Sequence, residues 1–376
     1  MKSISLKLSA VCLLGLLLSV VACKKKATPT ITNPSSVNFD RKGMLTNLAN
    51  NLIIPSYQAL NTTVITLDSS VTVFNTSQNI TTLANLQAAF KNAYLAWQSC
   101  SAFEVGPADQ LSLNVAVNTF PTDTHQISTN INSGSYNLAG LVNQPARGFP
   151  AIDYLLFGIG ADANAILAEY TTDSKAAGRK QYLAALSADI KTNIQTVLSA
   201  WQSGYTNTFV NATGSDVGSS LGLLMNSLDY DLEILKNDEL GIPLGKHSMG
   251  NILPNEVEAY YSGISVQLAV QQLKIIQNIY LGKSIQGSDG LGLDDYLVAL
   301  NAQYNNGSLN DAIKAQFNTA ITDLGNVPDP LSNTIITNAT PANKAYVDIQ
   351  KLVVLMKTDM PSATGILITF VDNDGD

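Results

Sequence analysis

Residues 147–158 read RGFPAIDYLLFG, a short apolar stretch between two glycines. Proline has a fixed φ and no N–H, so Pro150 suits the first turn of a helix, and the closing glycine suits its end. From Ile152 onward, apolar residues recur at i, i+3 and i+4 and therefore share one face. Asp153 lies at the margin of that face, about 100° around the axis. The stretch predicts a short buried helix with a partly desolvated carboxylate, which either serves a site or bonds neighbouring backbone.

Apolar residues recur at intervals of three and four over most of the chain, which predicts long amphipathic helices. We expect loops at 106–122 and 327–341, and a domain junction in the Ser/Gly/Thr/Asn-rich residues 203–220. The pattern predicts an all-α fold of two helical-bundle domains, residues 40–205 and 206–376. The predicted helices cover residues 45–74, 83–100, 123–131, 150–158, 182–201, 221–235, 257–279, 294–304, 309–324 and 346–356.

Residues 148–153 resemble a degenerate copy of the Gly-x-His-x-x-Glu signature of the imelysin family, whose members are bacterial envelope proteins. They were first described as insulin-cleaving metallopeptidases and later linked to iron uptake. Further segments resemble the family in the same order, namely Trp97, 103–104, 106–109, 118–123, 258–265, Phe370 and 374–376. The resemblance implies two bundles with apparent internal duplication and the signature at their interface. The family's motif histidine is Pro150 here, and its glutamate is the shorter Asp153.

The N-terminus carries two lysines, an apolar run at residues 11–21, and then Ala22 and Cys23. This order is typical of a lipoprotein-type secretion signal, and the run is too short for a membrane span. We expect residues 1–22 to be cleaved and Cys23 to be acylated; the alternative is a cleaved signal with an unmodified cysteine. Residues 23–39 are expected to form a flexible tether. These features predict a cell-envelope location, as an outer-membrane lipoprotein facing the periplasm or the surface.

Charge limits the partners. Without residues 1–22 the chain keeps 19 basic and 29 acidic residues, a formal charge of −10. Such a balance argues against nucleic acid and against broad contact with anionic lipid, since both need clustered Lys and Arg. We therefore expect contact with a membrane through the lipid anchor only. The family resemblance implies other iron-uptake components of the envelope as partners.

Carboxylates are the candidate functional groups. The chain has two histidines, His125 and His247, and Cys100 is the cysteine that remains beyond the anchor, where we expect it to pack as a small hydrophobe. This supply argues against a zinc site and favours a hard cation, an iron species or a small polar ligand. On one helix, Glu258 would share a polar stripe with two serines. The candidate ligand-binding residues are Glu104, Asp109, Arg147, Gly148, Pro150, Asp153, Glu258, Ser262 and Ser265.

Two functions follow from these observations. The first is a lipid-anchored envelope binding protein linked to iron or metal acquisition, with its ligand site at the interface of the two bundles. The alternative is a metallopeptidase of the imelysin type, which would need a stable coordination shell, an open position and a general base. Because Pro150 replaces the motif imidazole, the sequence favours binding, and we assign no catalytic residue.

Overall fold

Residues 37–369 are the part of the chain that the computed structural model describes, and they are mainly helical. The predicted all-α fold is confirmed. The predictions for the signal peptide, the acylated Cys23, most of the tether and the segment from Phe370 onward concern residues outside this range. The division into domains at residues 205 and 206 stays a prediction.

The N-terminal half contains ten α-helices among the described residues. Shorter π-helical or 3-10 turns lie between some of them, at Leu48–Ile53, Ser101–Phe103, Leu141–Ala146, Tyr154–Gly158 and Trp201–Tyr205. The helices are α1 (Arg41–Asn47), α2 (Ile54–Thr76), α3 (Ile80–Trp97), α4 (Pro107–Leu111), α5 (Leu113–Asn118), α6 (Thr124–Ser133), α7 (Gly148–Asp153), α8 (Ala163–Thr171), α9 (Ala176–Ala200) and α10 (Thr206–Asn211).

The C-terminal half continues with helices and one small hairpin. Its strands β1 (Gln303–Tyr304) and β2 (Gly307–Ser308) pair antiparallel. A π-helical segment, Leu235–Gly241, extends the first helix of this half, a 3-10 turn spans Pro254–Glu256, and a second π-helical segment covers Leu355–Asp359. The helices are α11 (Ser220–Ile234), α12 (Ser265–Tyr280), α13 (Leu293–Ala299), α14 (Leu309–Gly325), α15 (Leu331–Thr337), α16 (Thr340–Val354) and α17 (Met360–Thr364).

Helix packing follows the apolar stripes. In the N-terminal half, α2 packs along α3 and α9, and in the C-terminal half α14 packs against α16 and α12. Helix α12 also contacts α3, and α11 contacts the 3-10 turn Ser101–Phe103. One cluster of buried hydrophobic side chains draws members from both halves, and Cys100 belongs to it as predicted. The elements of the two halves therefore meet around α3, α11 and α12.

Several predicted boundaries were wrong. The expected loops 106–122 and 327–341 contain α4, α5 and α15, because each holds a few buried apolar residues at helical spacing, such as Leu113, Ala116 and Val117. The predicted helix 294–304 ends at Ala299, and Tyr304 lies in β1. Helix α7 begins at Gly148 rather than at Pro150.

Within residues 37–369, no single helix has both the length and the apolar character needed to cross a membrane. The helical stretches 148–158 and 163–171 meet the criteria only when counted together, and they are bent by 105° relative to each other.

Candidate functional site

Helix α7 is pressed against α5, and its glycine permits the approach. Gly148 has φ +77°, and a Cβ built there would lie 2.2 Å from the carbonyl oxygen of Val117. A side chain would therefore clash with backbone as well as strain the left-handed conformation. Helix α7 also packs against α9, and all of its residues are buried, including Pro150 and Asp153.

Asp153 binds backbone amides of the C-terminal half. Its two carboxylate oxygens accept the N–H of Tyr261 at 2.9 Å and of Ser262 at 3.0 Å. Burial raises the pKa of this carboxyl to about 6, although these hydrogen bonds act in the opposite direction. Both oxygens are engaged, so Asp153 acts as a clamp on the segment 257–264.

The segment 257–264 is a series of turns, and the predicted helix 257–279 begins only at Ser265. Ala259 and Gly263 have φ values of +50° and +65°, which a helix does not accommodate. Asp329 accepts the N–H groups of Val266 and Gln267 at 2.9 and 3.1 Å and so fixes the start of α12. The predicted polar stripe of Glu258, Ser262 and Ser265 on one helix was therefore wrong, because backbone amides that would extend the helix bind aspartates instead.

Glu258 lies in this segment and is 1% exposed. Its Oε1 accepts hydrogen bonds from Gln98 Nε2 and Asn118 Nδ2, both at 2.8 Å. Tyr94 donates its hydroxyl to Asn118 Oδ1 at 2.7 Å and so fixes the amide's orientation. Glu258 Oε2 is buried without a hydrogen-bond partner. Burial is the largest of the effects that raise the pKa of Glu258 to about 7.

A cavity of about 310 Å³ lies beside Glu258, where α3 and α5 face α11 and α12. We call it the acidic cavity. Its walls combine apolar and aromatic side chains, such as Phe120, Tyr230 and Ile234, with polar ones. The polar residues of the lining are Gln98, Ser101, Asn114, Asn118, Thr119, Asp231, Asp238, Glu239, Glu256 and Gln272.

Two buried acids of this lining come from one continuous helical rod. Asp231 lies in α11, and Glu239 lies in the π-helical segment that follows. Ser101 donates its hydroxyl to Asp231 Oδ2 at 3.2 Å. Burial raises the pKa of Asp231 to about 7, and burial together with the nearby Glu258 and Asp231 raises the pKa of Glu239 well above its ordinary value. Both acids are therefore harder to ionise than exposed carboxyl groups.

The acidic cavity has an excess of acceptors. Glu239 Oε2, Gln272 Oε1 and Asn114 Oδ1 are buried and have no hydrogen-bond partner. Glu239 and Gln272 are 4% and 1% exposed. The residues that line the cavity include no Lys, Arg or His. When Glu239 is ionised, it and the oxygens of Gln272 and Asn114 are buried acceptors without donors, each at a cost of about 1–3 kcal/mol, so a ligand that donates hydrogen bonds would stabilise the ionised form.

A second cavity of about 130 Å³ borders the clamp and shares Phe120 and Pro121 with the acidic cavity. Pro150 and Asp153 line it, together with Thr122, Asn255, Val257, Tyr260 and Tyr261. Each oxygen of Asp153 already accepts one backbone N–H group here.

The other predicted site residues line neither cavity. Glu104 accepts the backbone N–H of Asn114 at 3.1 Å, and burial raises its pKa to about 8. Asp109 is exposed on α4, and Arg147 faces Asp189. Ser265 donates its hydroxyl to the carbonyl of Glu258. The residues in this group are Glu104, Asp109, Arg147, Gly148, Glu258, Ser262 and Ser265.

The side chains do not fit direct coordination of a metal ion. Among residues 37–369, no three or more His, Cys, Asp or Glu side chains are grouped in a way that could hold one. The acids that come together are buried, and burial raises the pKa of each of them.

Sequence reasoning missed Asp231, Glu239 and Gln272. Asp231 had a detectable signal, because it interrupts an apolar stripe with Leu228, Leu232 and Leu235 at i−3, i+1 and i+4. An acid on the buried face of a helix marks a candidate site. The orientation of Glu239 depends on the π-helical segment, for which the sequence shows no signal.

Comparisons with known proteins agree with this architecture. A family model described as Imelysin matches residues 53–358. Iron-regulated protein A of Synechococcus elongatus is 23% identical over 309 residues, which are 79% of this chain and 78% of that protein. A crystal structure of an iron-regulated protein A precursor from Parabacteroides distasonis has a TM-score of 0.69 at 17% identity, covering 86% of this chain and 95% of that one. An imelysin-like protein from Psychrobacter arcticum has a TM-score of 0.66 at 19% identity, covering 89% and 99%.

Proposed function

Because this chain belongs to the imelysin family, we propose that it is a lipid-anchored envelope protein that binds a small ligand in the acidic cavity and serves iron acquisition. The observation that carries the proposal is the set of buried, unpartnered acceptors at Glu239, Gln272 and Asn114. Two similar proteins are called iron-regulated protein A, which supports the link to iron. The acidic cavity lies where elements of the two halves meet, and this position supports a ligand that contacts both.

The shape of the site favours a ligand that donates hydrogen bonds. The walls carry carboxyl groups and aromatic surface but no cationic side chain, so they offer an anion no counter-charge. Direct chelation of iron by these side chains has no geometric support, as described above. We therefore propose that the protein serves iron acquisition in one of two ways. It binds a cation whose own N–H or O–H groups donate hydrogen bonds to the cavity, or it contacts other envelope components.

The test is to block the acidic cavity and to ask what the protein loses. Val115 lines the cavity, so Val115→Phe would occupy space in it without removing a polar group. Val298 on α13 is 60% exposed, so Val298→Phe is a control of the same chemistry outside the cavity. Wild type and both variants would be purified from the envelope of iron-limited cells and compared by native mass spectrometry and elemental analysis.

We expect a small ligand that co-purifies with wild type and Val298→Phe and is lost from Val115→Phe. Equal ligand content in all three proteins, or none in wild type, would contradict binding in this cavity. A circular dichroism spectrum and a melting curve of Val115→Phe would show whether the fold is intact.

The anchor is tested separately. Wild type should partition into detergent and membrane fractions, whereas Cys23→Ser should be released or accumulate as uncleaved precursor. Unchanged fractionation of the variant would count against lipidation.

The metallopeptidase alternative has its own discriminating assay. In this chain the motif position of the imidazole is Pro150, and the neighbouring Asp153 is engaged with backbone. Purified wild type would be incubated with unfolded protein substrates, with and without a chelator. Metal-dependent turnover that disappears in Asp153→Asn would put the peptidase first, whereas binding predicts no chelator-sensitive cleavage.

A further inference from the structure

Asp231, Glu239 and Glu258 form one group of buried acids around the acidic cavity, and they come from three different places in the chain. Asp231 lies in α11, Glu239 in the π-helical segment, and Glu258 in the clamped turns. All three are at most 4% exposed. Glu239 Oε2 and Glu258 Oε2 have no hydrogen-bond partner. Three full negative charges at this depth would cost several kcal/mol each without a counter-charge.

The charged groups around this trio do not supply that counter-charge. From α3, Tyr94 faces Glu258, while Lys91 faces Asp153 instead. From the loop after the π-helical segment, His247 faces Asp238. Lys236 forms an ion pair with Glu233 at 2.7 Å, and Lys357 bonds the same glutamate at 3.0 Å. The other acids that face the trio are Asp153, Asp238 and Glu104.

We propose that the acidic cavity takes up a small cation whose surface consists of hydrogen-bond donors, and that it releases protons in exchange. Each exchange converts a neutral carboxyl into a carboxylate paired with the cation, and the proton goes to solvent. The donors are either the N–H groups of an organic ammonium or the O–H groups of waters bound to a metal ion. The inference rests on the proposed function and specifies both its ligand class and its coupling to pH.

This chemistry matches the unpartnered atoms. A donor-coated cation can bond the free oxygens of Glu239 and Gln272 together and supply the positive charge that the lining lacks. It needs no shell of three coordinating side chains, which the described part of the chain does not offer. The aromatic ring of Tyr230 in the same wall adds a favourable surface for a cation.

Two probes distinguish a hydrated metal ion from an organic ammonium ion as the bound cation. Hexaamminecobalt(III) does not exchange its ligands and so mimics a hydrated metal ion, and putrescine represents organic ammonium ions. Binding of each to purified wild type would be measured by calorimetry at about pH 5.5 and about pH 7.5, in two buffers of different ionisation enthalpy. We expect at least one probe to bind with release of about one proton or more, so that its affinity rises by up to about tenfold per pH unit for each proton released.

Two variants distinguish the effect of proton release on binding from the effect of a hydrogen bond to the ligand. Glu239→Gln should reduce proton release by about one and flatten the pH dependence. Gln272→Leu removes an unpartnered acceptor that does not itself titrate, so it should weaken binding about tenfold. Because hydrogen bonds from Gln272 lower the pKa of Asp231 and Glu239, this variant should not reduce proton release. Asp289 is exposed and lies outside the lining, so Asp289→Asn is the control for net charge and should match wild type.

Each outcome decides a different statement. Binding of hexaamminecobalt(III) alone assigns the site to hydrated metal ions, and binding of putrescine alone assigns it to organic ammonium ions. Binding without proton release would overturn the exchange but leave the proposed function standing. Failure of both probes, while Val115→Phe still loses a co-purifying ligand, would overturn the cation and keep the binding protein. If neither probe binds and no ligand co-purifies with wild type, the proposed function is overturned as well.

Discussion

The clamp at Asp153 and the acidic cavity lie side by side, and each contains buried carboxylates, yet their oxygens are used in opposite ways. Both oxygens of Asp153 accept backbone N–H groups. In the lining of the cavity, Glu239 Oε2 accepts nothing, and beside the lining Glu258 Oε2 also accepts nothing. Burial raises the pKa of acids in both regions. Burial of a carboxylate therefore does not by itself indicate a binding site, and the proposed site differs from the clamp in having an unpartnered oxygen in a cavity lining.

This difference in hydrogen bonding indicates a structural role for the clamp and leaves ligand binding to the neighbouring cavity. The position that resembles the imelysin signature fastens two parts of the chain together, whereas the neighbouring cavity keeps its hydrogen-bonding capacity unused. A substitution in the clamp should therefore reduce the stability of the protein, and one in the cavity should change what the protein binds.

The largest expected effect is on the pH dependence of stability. The folded-state pKa values of Asp231 and Glu258, both about 7, are raised above their ordinary values. The folded protein therefore holds more protons than the unfolded chain between about pH 4 and about pH 7, and the free energy of unfolding should fall as pH rises through this window. The slope should approach about 1.4 kcal/mol per pH unit for each acid.

Urea unfolding of wild type and Asp231→Asn across this range would measure that slope. In Asp231→Asn the slope of the unfolding free energy against pH should be smaller by the contribution of one acid. The exposed Asp289→Asn should keep the wild-type slope. If the free energy of unfolding of wild type did not change with pH, the buried acids would already be stabilised in their ionised form by other groups.

The next effect concerns the clamp. Asp153→Ala leaves the N–H groups of Tyr261 and Ser262 without their acceptors and should lower the free energy of unfolding by about 3 kcal/mol. Asp153→Asn keeps one acceptor oxygen and should cost about 1 kcal/mol. Urea unfolding compares the two variants, and hydrogen exchange of residues 257–264 should speed up most in the alanine variant. If both variants cost the same small amount, water replaces the carboxylate and the clamp has no structural role.

The smallest effect has the opposite sign. Glu239→Gln keeps the size of the side chain but removes a buried acid, so at about pH 8 it should raise the free energy of unfolding by about 1 kcal/mol. Thermal unfolding at high and low pH would show the gain at high pH and its loss at low pH, where the wild-type acid is protonated. A destabilised variant at high pH would indicate that the glutamate already has a partner, which would weaken the contrast with the clamp.

Much of the fold was predictable because long apolar stripes repeat with helical spacing. The predicted helix 309–324 matches α14, and Asp123 does cap α6 by accepting the N–H of Gln126. The segment 257–264 was not predictable, since its residues also have helical spacing. The helix is broken by a contact with Asp153, which lies more than 100 positions earlier in the sequence and accepts the N–H groups of Tyr261 and Ser262.

The candidate site was predictable only in part. The family-like segments pointed to Pro150 and Asp153, which line one cavity together, and their role in binding stays a prediction. The unpartnered acceptors at Glu239 and Gln272 were missed, because the satisfaction of a polar atom depends on neighbours that only the folded chain brings together. Local spacing indicates which face of a helix is buried but not which of its polar atoms lacks a partner.

The π-helical segment Leu235–Gly241 makes the acidic cavity sensitive to the length of the chain. Such a segment accommodates an additional residue within a helix that otherwise continues. Removing one residue between positions 235 and 238 would let the rod close into regular α-helix and turn Glu239 by about 100° about its axis. The helix and its packing could survive, yet the carboxylate would leave the cavity. Single-residue insertions and deletions at this point are therefore a route by which related chains could gain or lose the site while keeping the fold.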